Sequence, residues 1–232
     1  MTTQLKFRTF CISALCASTF LSFSADDWKS LFDGKSLNGW HVYNQRKAAS
    51  KWIAKNGELQ CNPEMEKGVF GDLITDKSYE NFDLTYEWKI SKGGNSGVFI
   101  NVQEEEKYGA TFTTGLEMQL MENENGESRH KENPTHWAGM LYDVTGNSAN
   151  SDPKPFGEWN QSRIKQQDGK VTFWLNGKVT ADVDLNGQDW KNALAKSELG
   201  KLDDYAKFRK GKIALQNHTD KVAFRNMKIK EI

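Results

Sequence analysis

The residues of this chain best equipped for chemistry are polar side chains set among apolar, strand-like stretches. They are Asn95 and Ser96, Glu117 and Gln119, Glu122, Tyr142, Glu158 to Asn160, Arg163, Gln216, His218 and Arg225. In LEMQLM (116–121), alternation at period two sends Leu116, Met118 and Leu120 to one face of a sheet and Glu117, Gln119 and Met121 to the other. A carboxylate and a carboxamide therefore share a face. An ordinary exposed strand with solvated side chains has the same pattern, so the case for a site rests on what converges with it. Strand positions far apart in sequence can line one pocket when a sheet of a sandwich curves around it.

Each candidate carries a plain structural alternative. Asn95 and Ser96 can position hydroxyl groups, or simply form the tight turn of GGNSG (93–97), which no lysine and helix follow as a phosphate loop would require. Trp159 is a platform for stacking on a sugar ring or a core tryptophan. Arg225 is a functional cation or an ion-pair partner on an edge strand, and His218 is a base or a structural histidine. His130, His136 and the acidic residues around them read as loop surface rather than metal ligands. No dinucleotide fingerprint, zinc-ligand spacing or Gly-x-Ser-x-Gly elbow is present.

The elements that must position these groups are strands. NFDLTYEWKI (81–90) sets Phe82, Leu84, Tyr86, Trp88 and Ile90 against Asp83, Thr85, Glu87 and Lys89, as a half-buried strand does. Asn56-Gly57 and Asn176-Gly177 each separate two strand-like runs and predict local antiparallel hairpins. Further strands are expected at 96–102, 116–121, 139–142, 158–166, 212–217 and 221–232. Within the last, the apolar face switches parity between Arg225 and Asn226, which predicts a bulge that re-aims Arg225. About a dozen strands without strand–helix alternation give an all-β, antiparallel β-sandwich or jelly roll, with a short helical insertion near 188–208. The segment from Trp28 to Trp40 reads as an N-terminal arm docked on the sandwich.

Lys6 and Arg8, an uncharged apolar run from Thr9 to Phe23, and small residues up to Ala25 describe a secretory signal peptide over residues 1–24. The run is shorter than the roughly 20 residues that span a bilayer, so the expectation is an exported protein, periplasmic or secreted, without a membrane span. Residues 25–232 suffice for a single domain. Cys61, the one cysteine beyond the leader, cannot form an internal disulfide and reads as a buried thiol. Lys plus Arg and Asp plus Glu stand at 31 each, a balance that argues against nucleic-acid binding. The eight tryptophans suit either a β core or sugar stacking.

Taken in order, LFDGKSLNGW, NFDLTYEWKI with GGNSGVFI, GLEMQLME, AGMLYD, KPFGEWN, WLNGK and GKIALQNHTDKVAFRNMKIKEI resemble the 3-keto-disaccharide hydrolase family, whose fold is a concanavalin A-like, LamG-like jelly roll. The chain departs from the family pattern at Asn217 and Thr219, where aspartate and glycine usually flank the histidine. It departs again at Ile100-Asn101, where an arginine often follows the strand. The resemblance implies an exported bacterial enzyme acting on glycosides oxidised to a ketone at C3. Such a ketone acidifies the C2 proton; a base removes it, the enolate expels the C1 substituent, and water adds to the enone. On that chemistry His218 or Glu117 serves as base, Arg225 or a divalent cation stabilises the enolate, and Tyr142 donates the proton. Asn95, Ser96, Gln119, Glu122, Glu158, Trp159, Asn160 and Gln216 are then candidates for substrate binding. Two other readings stay open: a noncatalytic carbohydrate-binding module of the same fold, and a conventional glycosidase using a carboxylate pair such as Glu117 and Glu158.

Overall fold

The computed structural model describes residues 27–232; the leader expected over residues 1–24 lies outside the described residues. In chain order the strands are β1 (Lys29–Ser30), β2 (Trp40–Val42), β3 (Trp52–Lys55), β4 (Glu58–Cys61), β5 (Leu73–Thr75), β6 (Phe82–Ile90) and β7 (Asn95–Val102). They continue with β8 (Leu116–Met121), β9 (Asn160–Gln167), β10 (Lys170–Leu175), β11 (Lys178–Asp184), β12 (Lys212–Leu215) and β13 (Val222–Glu231). Two short helices, α1 (Ser128–Lys131) and α2 (Gln188–Leu194), lie among them.

The strands form an antiparallel sandwich. An eight-stranded sheet runs β11-β10-β9-β6-β13-β4-β3, with β1 added on β13, and a five-stranded sheet runs β2-β5-β12-β7-β8. The inward residues of β6 (Phe82, Leu84, Tyr86, Trp88, Ile90) meet Val98, Ile100, Leu116, Met118 and Leu120 of the smaller sheet in one core. Buried side chains of this kind stabilise by about 1.5–3 kcal/mol each relative to exposure. Both Asn-Gly pairs make the expected hairpins, with φ of +54° and +76° at Asn56-Gly57 and +48° and +83° at Asn176-Gly177. Positive φ at both central residues is what a two-residue turn between twisted strands demands. The bulge in β13 is present as well: the register with β6 shifts between Arg225 and Lys228, and Asn226 takes φ +52°.

Two regions differ from expectation, while the helical insertion near 188–208 is present as expected. The docked arm contributes two real strands, β1 and β2, and β5 is a third, all too short to show a period. Residues 139–142 form no regular strand; Leu141 bridges Met118 and Thr145, and the segment hangs on the edge of β8 through Gly139 N to Gln119 O (2.8 Å) and Gln119 N to Met140 O (3.0 Å). The insertion near 188–208 is α2 followed by a 3-10 turn at Leu199–Lys201, which contains Gly200. Cys61 is buried and free, and burial pushes its thiol up to about 12. Among the described residues no helix is long and apolar enough to cross a membrane.

Candidate active site

The alternation of β7 and β8 sets up the site. Val98, Ile100, Leu116, Met118 and Leu120 point into the sandwich, which leaves Asn95, Gly97, Phe99, Glu117 and Gln119 on the outer face of the smaller sheet. That face is covered by the excursions between β7 and β8 and between β8 and β9. Every residue of β8 is consequently buried, and Glu117 is 4% exposed. The half-exposed strand that periodicity suggests does not occur. Gly97 leaves room for the carboxyl, because a Cβ there would overlap Glu117 Oε1. Gln119, with its amide nitrogen toward the strand, donates to Ser96 O (2.9 Å) and to Glu117 Oε1 (3.3 Å).

Burial raises the Glu117 carboxyl well above its ordinary range; the nearby charge of Asp72 adds to this, and a hydrogen bond with Gln216 opposes it. Burial thus favours the protonated form of Glu117, the form able to give a proton. Tyr142 is placed beside it by the edge pairing, its backbone N–H donating to Glu117 O at 3.0 Å. Burial, then the Glu117 charge, raises its phenol to about 12, so it remains an O–H donor.

Behind Tyr142 lies a group of rings. His136 stacks on Tyr142 with centroids 4.4 Å apart, and His136 Nδ1 is 3.1 Å from His130 Nδ1. His130 Nε2 is 3.3 Å from Asn95 Nδ2. Burial, with Arg129 and His136 close by, lowers His130 to about 4, which keeps this part of the pocket floor uncharged. Asp143 fixes the far end: Oδ1 lies 3.3 Å from His136 Nε2, and Oδ2 accepts from Ser197 Oγ (2.7 Å), Glu198 N (2.8 Å) and Leu199 N (3.3 Å).

The third side is the segment after β12. Gln216 N donates to Gly97 O (2.9 Å), and Ser96 Oγ donates to Gln216 O (2.8 Å), which aligns the segment on β7. Asn217 N donates to Asp72 Oδ1 (2.9 Å), and Thr111 Oγ1 donates to the other Asp72 oxygen. Gln216 Oε1 and His218 Nδ1 are buried without a partner in the protein. Buried polar atoms are normally satisfied, so an unpaired acceptor and an unpaired ring nitrogen at one cavity mark a place for a bound polar molecule.

These sides enclose a cavity of about 320 Å³, within the usual range for a small-molecule site. It brings together Asn95, Glu117, Gln119, Tyr142, Gln216 and His218, and adds Phe112, Arg129 and Leu199, which the sequence reading did not single out, and His130, expected as loop surface but buried at 2% exposure in the cavity wall. The additions sit on the covering loops, where no periodicity reports position. Asp72, also unread, stands next to β5; its charge adds to the rise of Glu117, and it accepts from Asn217 N beside His218.

The remaining candidates lie elsewhere. Arg225 is on the outer face of the larger sheet, where its Nε donates to Glu87 (2.7 Å) and its guanidinium stacks on Trp159 at 4.0 Å. The bulge does aim it, but toward an ion pair and an indole. Trp159 also carries Lys89 at 4.4 Å, and Glu158 is exposed, so Glu158 forms no carboxylate pair with Glu117. Arg163 is bound to Asp83 on that same outer face and stacks on Trp174. Asn160 is buried, accepting from Lys154 N (2.7 Å) and Asn176 Nδ2 (2.9 Å). Glu122 accepts from Gly93 N, Glu124 N and Asn125 N, which makes it the anchor of a turn. Ser96 faces away from the cavity and acts only through Gln216. No group of three or more His, Cys, Asp or Glu side chains among the described residues is disposed to hold a metal ion.

Residues 27–230 match the family described as the 3-keto-alpha-glucoside-1,2-lyase-like domain. A 3-keto-disaccharide hydrolase of Bacteroides thetaiotaomicron is 31% identical over 90% of this chain and 80% of its own. A Parabacteroides distasonis protein whose crystal structure carries the provisional description glycosyl hydrolase superposes with a TM-score of 0.79. It is 33% identical, over 88% of this chain and 94% of its own. A Bacillus subtilis protein of galectin-like fold, at 11% identity and a TM-score of 0.54 over 88% and 98%, shares the fold alone.

Proposed function

The chain belongs to the 3-keto-alpha-glucoside-1,2-lyase-like domain family, and on that premise we propose that the cavity beside Glu117 cleaves glycosides whose sugar carries a ketone at C3. One observation carries this reading: Glu117, Tyr142 and His218, drawn from three separate parts of the chain, line one small cavity that also holds unpartnered polar atoms. Neither a flat lectin surface nor a carboxylate pair accounts for that arrangement.

In the proposed sequence an unprotonated nitrogen of His218 takes the C2 proton, and the electron pair moves into the C3 carbonyl to give an enolate. The un-ionised Tyr142 hydroxyl and the Arg129 guanidinium are the donors available to the enolate oxygen, Arg129 taking the part first expected of Arg225. As the enolate collapses, C3=O re-forms, C1=C2 forms and the C1–O bond breaks, while protonated Glu117 gives its proton to the departing oxygen. Water then adds its hydroxyl to C1 and returns a proton to Glu117. His218 returns the first proton to C2, so both residues are reset and the net change is hydrolysis.

The test is release of aglycone from a chromogenic β-glucoside and from its 3-keto derivative, with and without chelator, by wild type, Glu117→Gln and His218→Ala. Turnover confined to the keto substrate, falling about 10²-fold or more in each variant, is the expected result, and a chelator effect would add a metal to it. Turnover of the plain glucoside, or full activity in either variant, overturns the assignment. The leader over residues 1–24 belongs to the same proposal, an enzyme working in the periplasm or outside the cell. It is checked by whether protein from those fractions begins near Asp26.

A further inference from the structure

The floor and the rim of this cavity differ in kind. Asn95, Glu117, Gln119 and His130 are polar and buried, whereas Phe112 at the mouth is 45% exposed. Among the described residues Phe70 and Phe156 are comparably exposed phenylalanines, but each lies under a lysine ammonium, Lys51 at 4.9 Å and Lys92 at 6.0 Å. The Phe112 ring has no such cover. An exposed aromatic at the edge of a polar pocket marks a surface that a ligand completes.

Phe112 is also held still. Its 3-10 turn (Thr111–Thr113) is tied down by Thr111 Oγ1 to Asp72, by Gly115 N to Thr111 O (3.0 Å) and by Ala206 N to Thr114 O (3.1 Å). Leu199, the other apolar residue lining the cavity, sits on the 3-10 turn that Asp143 anchors. Two carboxylates at the site thus fix two apolar side chains, so little ordering is left to occur on binding.

We propose that Phe112 and Leu199 form the subsite for the leaving group, and that the protein selects keto-glycosides whose aglycone presents a ring over those with a small alkyl aglycone. A pyranose shows an apolar C–H face and an aryl group a π face, and either fits flat against a fixed phenyl ring. The inference rests on the reading of the floor as the keto-sugar site.

The experiment compares 3-keto-glucosides that differ only in aglycone (methyl, phenyl, glucosyl), measuring kcat/KM in wild type and Phe112→Ala. It also measures Kd by calorimetry in a Glu117→Gln background, where substrate is consumed at least about 10²-fold more slowly. Phe112→Ala is expected to weaken the phenyl and glucosyl compounds about tenfold, mainly through KM and Kd. The methyl compound should be weakened less than either ring compound, and Phe112→Trp should restore the preference. A change confined to one ring compound identifies the aglycone class. Equal effects on all three, no effect on any, or absence of ring preference in wild type overturns the subsite. Ring-selective binding without wild-type turnover of any keto-glucoside upholds the subsite and overturns the chemistry instead.

Discussion

Thr219 has φ +67°, a left-handed conformation that a β-branched side chain adopts only under strain of about 1–3 kcal/mol. It directly follows His218, so that strain is part of how the imidazole is held at the cavity. The resemblance had already set Thr219 apart as a position where glycine is usual, and the backbone supplies the reason. Thr219→Gly relieves the strain but gives back about 0.5–1 kcal/mol in unfolded-chain entropy. The expected net gain is about 1 kcal/mol, seen as a Tm roughly 2–4 °C higher in thermal denaturation. A lower Tm would mean that contacts of the threonine side chain outweigh the torsional cost. At this scale Glu117, Gln119, Tyr142, Gln216 and His218 were legible because they lie on or beside strands whose parity can be read. Phe112, Arg129, His130 and Asp72 were not, because a loop residue's position is set by what the loop crosses.

Asp143 joins two elements that nothing in the sequence connects. One oxygen holds His136, which stacks on Tyr142, and the other gathers Ser197 Oγ and the N–H groups of Glu198 and Leu199. Burial resists its ionisation, but hydrogen bonds from Ser197, His136 and the Leu199 and Glu198 amides hold the carboxyl below its ordinary value. A depressed carboxyl contributes stability above about pH 4 that is lost as pH falls through the folded value. Asp143→Ala leaves those donors unpaired and is expected to lower stability by about 1–3 kcal/mol. It should also raise KM more than it lowers kcat, as the Leu199 side of the mouth comes loose. Denaturant unfolding together with kinetics checks both, and an unchanged KM would show that the turn stands without its anchor. The elements themselves were readable wherever alternation ran long or an Asn-Gly pair fixed a hairpin, as in β6, β8 and β10–β11. Residues 139–142 were read as a strand because their apolar side chains do pack, but only the edge of β8 is available to pair with them.

Across the whole molecule, carboxyls that are harder to ionise gather on the Glu117 side of the site, opposite Asp143, which is held the other way. Burial raises Glu117, which lines the cavity, and also Asp72 and Asp220, which accept from the backbone N–H groups of Asn217 and Asn95 beside it. On the larger sheet, by contrast, Glu58 and Glu87 are buried in part yet lowered by their hydrogen bonds with Lys89 and Gln60, and with Asn226 and Arg225. Where the folded protein holds a proton that the unfolded chain releases, stability is complete below the unfolded pKa and declines as pH rises toward the folded one. Glu117→Gln should therefore match wild type near pH 4 and exceed it increasingly above about pH 4.5, seen as a Tm difference that widens with pH. His130, lowered to about 4, acts in the opposite sense, its contribution shrinking as pH falls from about 6.5. Both proteins contain it, so it cancels in the difference between their curves. That difference decides a point of mechanism as well as of stability. A gap that widens with pH means Glu117 is a neutral acid in the fold and leaves the C2 proton to His218. A gap that stays flat means the carboxylate is ionised, and Glu117 and His218 exchange roles.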